Sequence, residues 1–475
     1  MTIETALKQM QAVVGETGYT QDPDDLAPWL TDWRGRYSGS AAAMLSPVSA
    51  EQASAIVKIA AKHRIALVPQ GGNSGMVAGA TPDGSGKAVL LSLRRMNRMT
   101  RFDPESGLIE AEAGVILQNL HEHVAKQGRR FPLTLGGKGS ATVGGLISTN
   151  AGGTQVLRHG TMRGLVAGIQ AVLPDGSILD SLAPLKKDNR GYDLRHLLIG
   201  AEGTLGIVTA ATLQTVPALL DRCVLWVGVD SPAMAYALFL ELERRASGAL
   251  EGFELIPDRA LQSVLRHIPA TRAPLEASSP WYVLVELVQD RPDQIAPATL
   301  GEALLVAAME KGLVRDAALS ASEAQAEDFW KLRDSIAEAE RAEGPALQHD
   351  ISVPVADMAR FIETESPVIE ARFPGTLVVA FGHLGDGNIH LHVKAPVDAR
   401  LPDWYESDGK AISGFVYDRV LAYKGSISAE HGIGLAKLET LARTADPARL
   451  LAMRAIKTAF DPLGIMNPGK TVPLA

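Results

Sequence analysis

Leu135-Gly136-Gly137-Lys138-Gly139-Ser140-Ala141-Thr142-Val143-Gly144-Gly145 runs on into Ser148-Thr149-Asn150-Ala151-Gly152-Gly153. Glycines at this density make ordinary turns. With Ser, Thr and Asn between them they also let backbone N–H groups approach a phosphate closely. Two further segments share this composition. Pro69-Gln70-Gly71-Gly72-Asn73-Ser74-Gly75 follows a short apolar strand, and Gly200-Ala201-Glu202-Gly203-Thr204-Leu205-Gly206-Ile207 lies farther along. None of them opens a helix with Gly-x-Gly-x-x-Gly, and no Walker A sequence is present, so neither dinucleotide fingerprint applies.

The elements around these loops set the fold class. Ser49 caps a helix over 50–63, with Gln52 three residues on. Strands are expected over 65–68, 88–93 and 108–113, a helix over 117–127, and a hairpin at Pro174-Asp175-Gly176-Ser177. This order lacks repeated parallel βαβ units and reads as α+β. After Pro217 the character changes. Strands over 223–229 and 281–287 alternate with helices over 234–245, 300–311 and 323–343. These form a second domain, a sheet covered by helices, with an exposed loop over 269–280. The expected division is 1–218, 219–423 and 424–475, the last segment returning to the first domain through a helix over 447–460 and the tail Asn467-Pro468-Gly469-Lys470.

A second constellation carries chemistry. His383-Leu-Gly-Asp-Gly-Asn-Ile-His390-Leu-His392 places three of the eleven histidines around a Gly-Asp-Gly-Asn turn. Strands over 377–381 and 389–393 flank it as a hairpin. Residues two apart on a strand share a face, so His390 and His392 point one way and His383 on the partner strand can join them. Glu430-His431 follows about forty residues later. Two His and a carboxylate are the ligand set of a catalytic divalent metal, and His431 beside the carboxylate can act as a base. Each His alone reads better as a satisfied core residue; the set, with Gly beside each patch, reverses that.

Composition narrows the partners. A net charge of -8 and a pI near 5.8 argue against nucleic acid or an anionic membrane as the main partner. The one cysteine, Cys223, rules out an intrachain disulfide and a Cys-based metal site. No apolar stretch reaches the length of a membrane span. Residues 1–16 place Ile3, Leu7, Met10 and Val14 on one helical face and lack a signal-peptide pattern, so a cytoplasmic protein is expected.

Together the three Gly segments resemble the flavin domain of the vanillyl-alcohol oxidase / p-cresol methylhydroxylase superfamily. The histidine patches resemble its D-2-hydroxy-acid dehydrogenase branch, and the resemblance runs in order along nearly the whole chain. It implies a PCMH-type FAD-binding domain of two α+β subdomains, with an α+β cap built on an antiparallel sheet. Its pyrophosphate would lie along Gly71, Gly72, Asn73, Ser74 and Gly75, after Pro69, and along Gly139, Ser140, Ala141, Gly144 and Gly145, with Gly136 also at the cofactor. Asn150, Ala151, Gly152 and Gly153, then Glu202, Gly203, Gly206 and Ile207, would line the rest, with Asn467 closing from the tail. The first loop has Asn73 and Ser74 where some members carry a flavin-linked His, which implies noncovalent FAD.

The resemblance further implies metal ligands His383, His390 and Glu430, a divalent ion such as Zn, His431 as base, and Arg333 on the substrate carboxylate. His392 stands where relatives often have Asn and can contact substrate. Ala337 and Gln348 replace a Thr and a Lys of the 2-hydroxyglutarate type. Those groups would hold a distal carboxylate, so their replacement counts against D-2-hydroxyglutarate and adds D-lactate, D-malate or a bulkier 2-hydroxy acid as substrate candidates. Electron-transfer flavoprotein, a quinone or a cytochrome is the implied acceptor, and a homodimer is an open option. The rival readings are a metal-independent flavin oxidase or transferase, a non-catalytic flavin subunit, and a metal-dependent hydrolase.

Overall fold

The computed structural model describes residues 3–246, 248–397, 399–400 and 403–474; Met1 and Thr2 of the expected first helix and Ala475 of the tail lie outside them. The chain forms two compact units. One comprises Met1–Gly153, His159–Ala218 and Glu430–Ala475, the other Thr154–Arg158 and Leu219–Ala429.

The first unit contains two main sheets. In the four-stranded one, Ala43–Leu45, Val89–Ser92 and Leu67–Gln70 pair in parallel, and Tyr19–Thr20 joins the edge antiparallel. Parallel pairing fits strands covered on both faces, and Val89, Leu90 and Leu91 are all fully buried. The covering helix is Ala50–His63, with Ser49 Oγ accepting from Gln52 N as its cap. The second sheet is an antiparallel run of Met99–Asp103, Leu108–Glu112, Ile207–Gln214, Val166–Val172 and Ile178–Ser181.

The last segment is built into the first core. Leu67 N donates to Ile465 O and Asn467 N to Leu67 O, both at 2.8 Å, so the tail lies beside the strand that feeds the Gly71 loop. Lys457, on the helix Pro447–Phe460, is buried. Its Nζ donates to Thr204 O, Met466 O and Asp461 Oδ2.

The second unit is one seven-stranded sheet with every neighbour antiparallel. Its order is Asp316–Leu319, Asp221–Val229, Trp281–Gln289, Leu250–Pro257, Leu377–His383, Asn388–Lys394, Ala346–Ser352. The helix expected over 323–343 is two helices, Glu323–Asp334 and Ile336–Glu343, which meet at Ser335 with ψ −2°. The break has a structural consequence. It lets Arg333 at the end of one and Glu340 in the middle of the other both reach the sheet.

Candidate functional site

In the second unit the hairpin Leu377–His383 / Asn388–Lys394 carries the predicted histidines. Its alternation places Phe381, His383, His390 and His392 on one face. The His383 and His390 ring centroids are 5.3 Å apart, and Phe381 lies 5.1 Å from both His390 and His392. The neighbouring strand Leu250–Pro257 sets Glu254 opposite His383. His383 Nδ1 donates to Glu254 Oε1 at 2.6 Å, and Arg333 Nε donates to Glu254 Oε2 at 2.8 Å. Glu254 is 1% exposed. Burial alone would raise its carboxyl, but His383 and Arg333 outweigh it and hold the group at about 2.

This arrangement fixes the ring of His383. With Nδ1–H given to a carboxylate, Nε2 is the lone-pair nitrogen, which is the form a metal requires. His390 is suited in another way. Burial above all, with the nearby Arg333 guanidinium adding to it, pushes it well below the ordinary imidazole value and keeps it neutral. Asp350 faces His390 across the strand pair and accepts from Asn388 Nδ2 at 2.9 Å. The donor set of this unit therefore fits a divalent metal. His392 gives Nδ1–H to Glu340, and both are buried.

Glu254, Glu340 and Asp350 are not among the residues singled out from the sequence. A signal for Glu254 was present: Leu250-Glu-Gly-Phe-Glu-Leu-Ile-Pro257 is buried along its whole length yet carries two carboxylates. Buried acids of this kind call for partners, though sequence cannot name them.

In the first unit the predicted Gly loops meet. A Cβ on Gly71 would lie 2.1 Å from Thr142 Oγ1, and one on Gly72 would lie 1.8 Å from Ser140 O. At Gly72 the loops touch backbone to backbone and leave no room for a side chain, while at Gly71 the close neighbour is the Thr142 side chain. Gly75 and Gly136 instead face open space, and Gly136, Gly139 and Ser140 are exposed. Gln70 Oε1 and Asn467 Oδ1 are buried acceptors with no hydrogen-bond partner among the described residues. Close-packed loops beside open space, with buried acceptors that lack a donor, fit a large polar cofactor that brings N–H or O–H groups of its own.

Other predicted cofactor residues use their side chains internally. Asn73 Nδ2 donates to Thr31 O, and Asn150 Oδ1 accepts from Arg163 N. Glu202 takes Ile433 N at 2.9 Å and Gly434 N at 2.8 Å, one on each carboxylate oxygen. All three have left-handed backbones, with φ of 52°, 50° and 49°. Such non-glycine conformations cluster where a chain is held for function. Glu202 thus anchors the turn that follows Glu430 and His431, both half-buried. Ala151, Gly152 and Gly153 are buried below the helix Val143–Thr149, and Ile207 opens the strand Ile207–Gln214.

Comparison with known proteins agrees with this geometry. Residues 41–181 match the FAD binding domain model, and residues 220–471 match the model for the C-terminal domain of FAD linked oxidases. The chain is 36% identical to the mitochondrial D-2-hydroxyglutarate dehydrogenase of Arabidopsis thaliana, covering 97% of this chain and 80% of that one. It is 35% identical to the D-2-hydroxyglutarate dehydrogenase of Xanthomonas citri, covering 97% and 95%. A putative mitochondrial D-lactate dehydrogenase of Schizosaccharomyces pombe is 35% identical, covering 99% and 90%. Among solved structures, p-cresol methylhydroxylase with substrate bound superposes with a TM-score of 0.77 at 16% identity, covering 98% and 96%. That last likeness establishes the PCMH-type fold.

Proposed function

From the premise that this chain belongs to the FAD-linked oxidases and is a FAD-dependent oxidoreductase, we propose that it oxidises a D-2-hydroxy acid to the 2-oxo acid. D-2-hydroxyglutarate is the first candidate, because the relatives carry that name. Ala337 and Gln348 keep D-lactate and D-malate on the panel. The observation that carries the reading is the buried Arg333–Glu254–His383 chain, which prepares His383 as a ligand.

In this reading His383, His390 and Glu430 hold a divalent metal, with Zn the leading candidate. It would supply a Lewis acid for the hydroxyl and carboxylate of the substrate. Noncovalently bound FAD supplies the two-electron acceptor for the C2 hydride. The chain's own residues do the rest. His431 takes the hydroxyl proton. Arg333 is held by Glu254 in the orientation from which its guanidinium meets the substrate carboxylate. His392, its Nδ1–H committed to Glu340, contacts the substrate beside His390.

Anaerobic flavin bleaching tests this directly. D- and L-2-hydroxy acids are added to the purified protein, with and without prior chelation. Bleaching by one D-acid that chelation abolishes is the expected result. Bleaching that survives complete metal removal would overturn the metal's role, and no bleaching by any 2-hydroxy acid would overturn the substrate class.

A further inference from the structure

Lys470 closes the tail motif Asn467-Pro468-Gly469-Lys470 and has no part in the proposed reaction. It is only 4% exposed. Among the described residues no hydrogen bond or ion pair reaches its ammonium. Its nearest acids are already committed. Asp83 accepts from Ser85 N and Ser85 Oγ, and Glu202 accepts from Ile433 N and Gly434 N. They act on Lys470 only through longer-range charge, and burial pushes its ammonium down from the ordinary lysine value. A largely buried lysine whose ammonium has no partner carries a desolvation cost that an anion beside it would offset.

The surrounding backbone holds Lys470 in place. Asn467 Nδ2 donates to Gly79 O at 2.9 Å and to Glu202 O at 2.8 Å, and Thr471 N donates to Gly434 O at 3.1 Å. Asn467 and Thr471 have φ of 40° and 60°, conformations that L-residues rarely take. Asn467 N is also bonded to Leu67 O, at the start of the strand that leads into the Gly71 loop. The tail is therefore tied to the base of two Gly-rich cofactor loops of the same unit, and its own buried acceptor Asn467 Oδ1 is unpaired. A strained segment tied at four points, with an unmatched cation and an unmatched acceptor, is built to receive a ligand rather than to close a core.

We propose that Lys470 binds an anionic oxygen of the bound FAD. Two parts of that cofactor offer one: the pyrophosphate, and the pyrimidine edge of the flavin ring, which gains negative charge on reduction. Both are recognised by the same charge-assisted hydrogen bond.

Lys470→Met, Lys470→Gln and Lys470→Arg holoproteins separate the cases, read by FAD dissociation constant and by two-electron reduction potential. Lys470→Met and Lys470→Gln are expected to lose one of two things, with Lys470→Arg recovering most of it. A pyrophosphate contact weakens FAD binding by about tenfold to a hundredfold at an unchanged potential. A flavin-edge contact lowers the potential, by about 30 mV per tenfold loss of affinity for the reduced form, and leaves oxidised FAD nearly as tightly bound. Wild-type affinity and potential in Lys470→Gln would overturn the proposal, even if its melting temperature fell. Neither readout needs a substrate, so the outcome is independent of which hydroxy acid is oxidised.

Discussion

Glu254 shows how a single buried side chain organises chemistry around it. Its carboxylate is shared by the Arg333 guanidinium and the His383 imidazole N–H, and without the acid the buried guanidinium would lose its counter-charge and the imidazole the partner that fixes its tautomer. Glu343 does similar work at the end of the helix Ile336–Glu343, where it meets Arg266 and Lys394. Burial would raise its carboxyl, but Lys394, Arg266 and Ser263 lower it further, to about 2 from the ordinary 4.5. A depressed carboxyl contributes stability that is fully present above the unfolded value and is lost as pH falls through the folded one. Thermal melts from pH 5 downward should therefore steepen between about 4.5 and about 2, and Glu343→Gln should flatten that limb. An acid limb as steep in the variant as in the parent would refute the assignment.

At the scale of elements, Glu202 ties two loops far apart in sequence. Its two oxygens satisfy consecutive N–H groups of the turn after His431, and a Cβ on Gly432 would lie 2.9 Å from Glu202 Oε1. The turn fits only because position 432, at φ 81°, has no side chain. Glu202→Gln replaces one acceptor with a donor that faces an N–H. The expected cost is roughly 1–3 kcal/mol, measured by chemical denaturation, with faster amide exchange confined to residues 432–434. Uniform exchange changes across the first unit would mean that Glu202 is merely a core residue.

For the whole molecule, the decisive feature is that the first unit closes only with its last segment. Ile465 and Met466 are buried in the same apolar cluster as Leu67, Val89 and Leu91, and Lys457 holds Thr204 O, Met466 O and Asp461 together. Lys457→Met removes the cation and strands Asp461, which is 3% exposed. A loss of about 3–5 kcal/mol is expected, seen as early release of FAD on heating. An unchanged release temperature would show that the tail is dispensable.

The sequence alone determined the local structure and the kinds of chemistry. Alternation along 377–393 placed three histidines on one hairpin face, since strand period is a local property. Gly density announced the close loop contacts at Gly71 and Gly72, because a missing Cβ is visible in any sequence. The capped helix Ala50–His63 and the helix Pro447–Phe460 followed from caps and periodicity, whereas the strand Leu250–Pro257, the helix Val355–Arg372 and the break at Ser335 did not. Tertiary structure decided the partners. Glu254 lies 129 residues from His383, and Glu202 lies 231 from Ile433. No local pattern encodes such a pairing. It arises when strand order and loop packing bring a buried charge to the group that offsets its desolvation, and only the folded chain holds both.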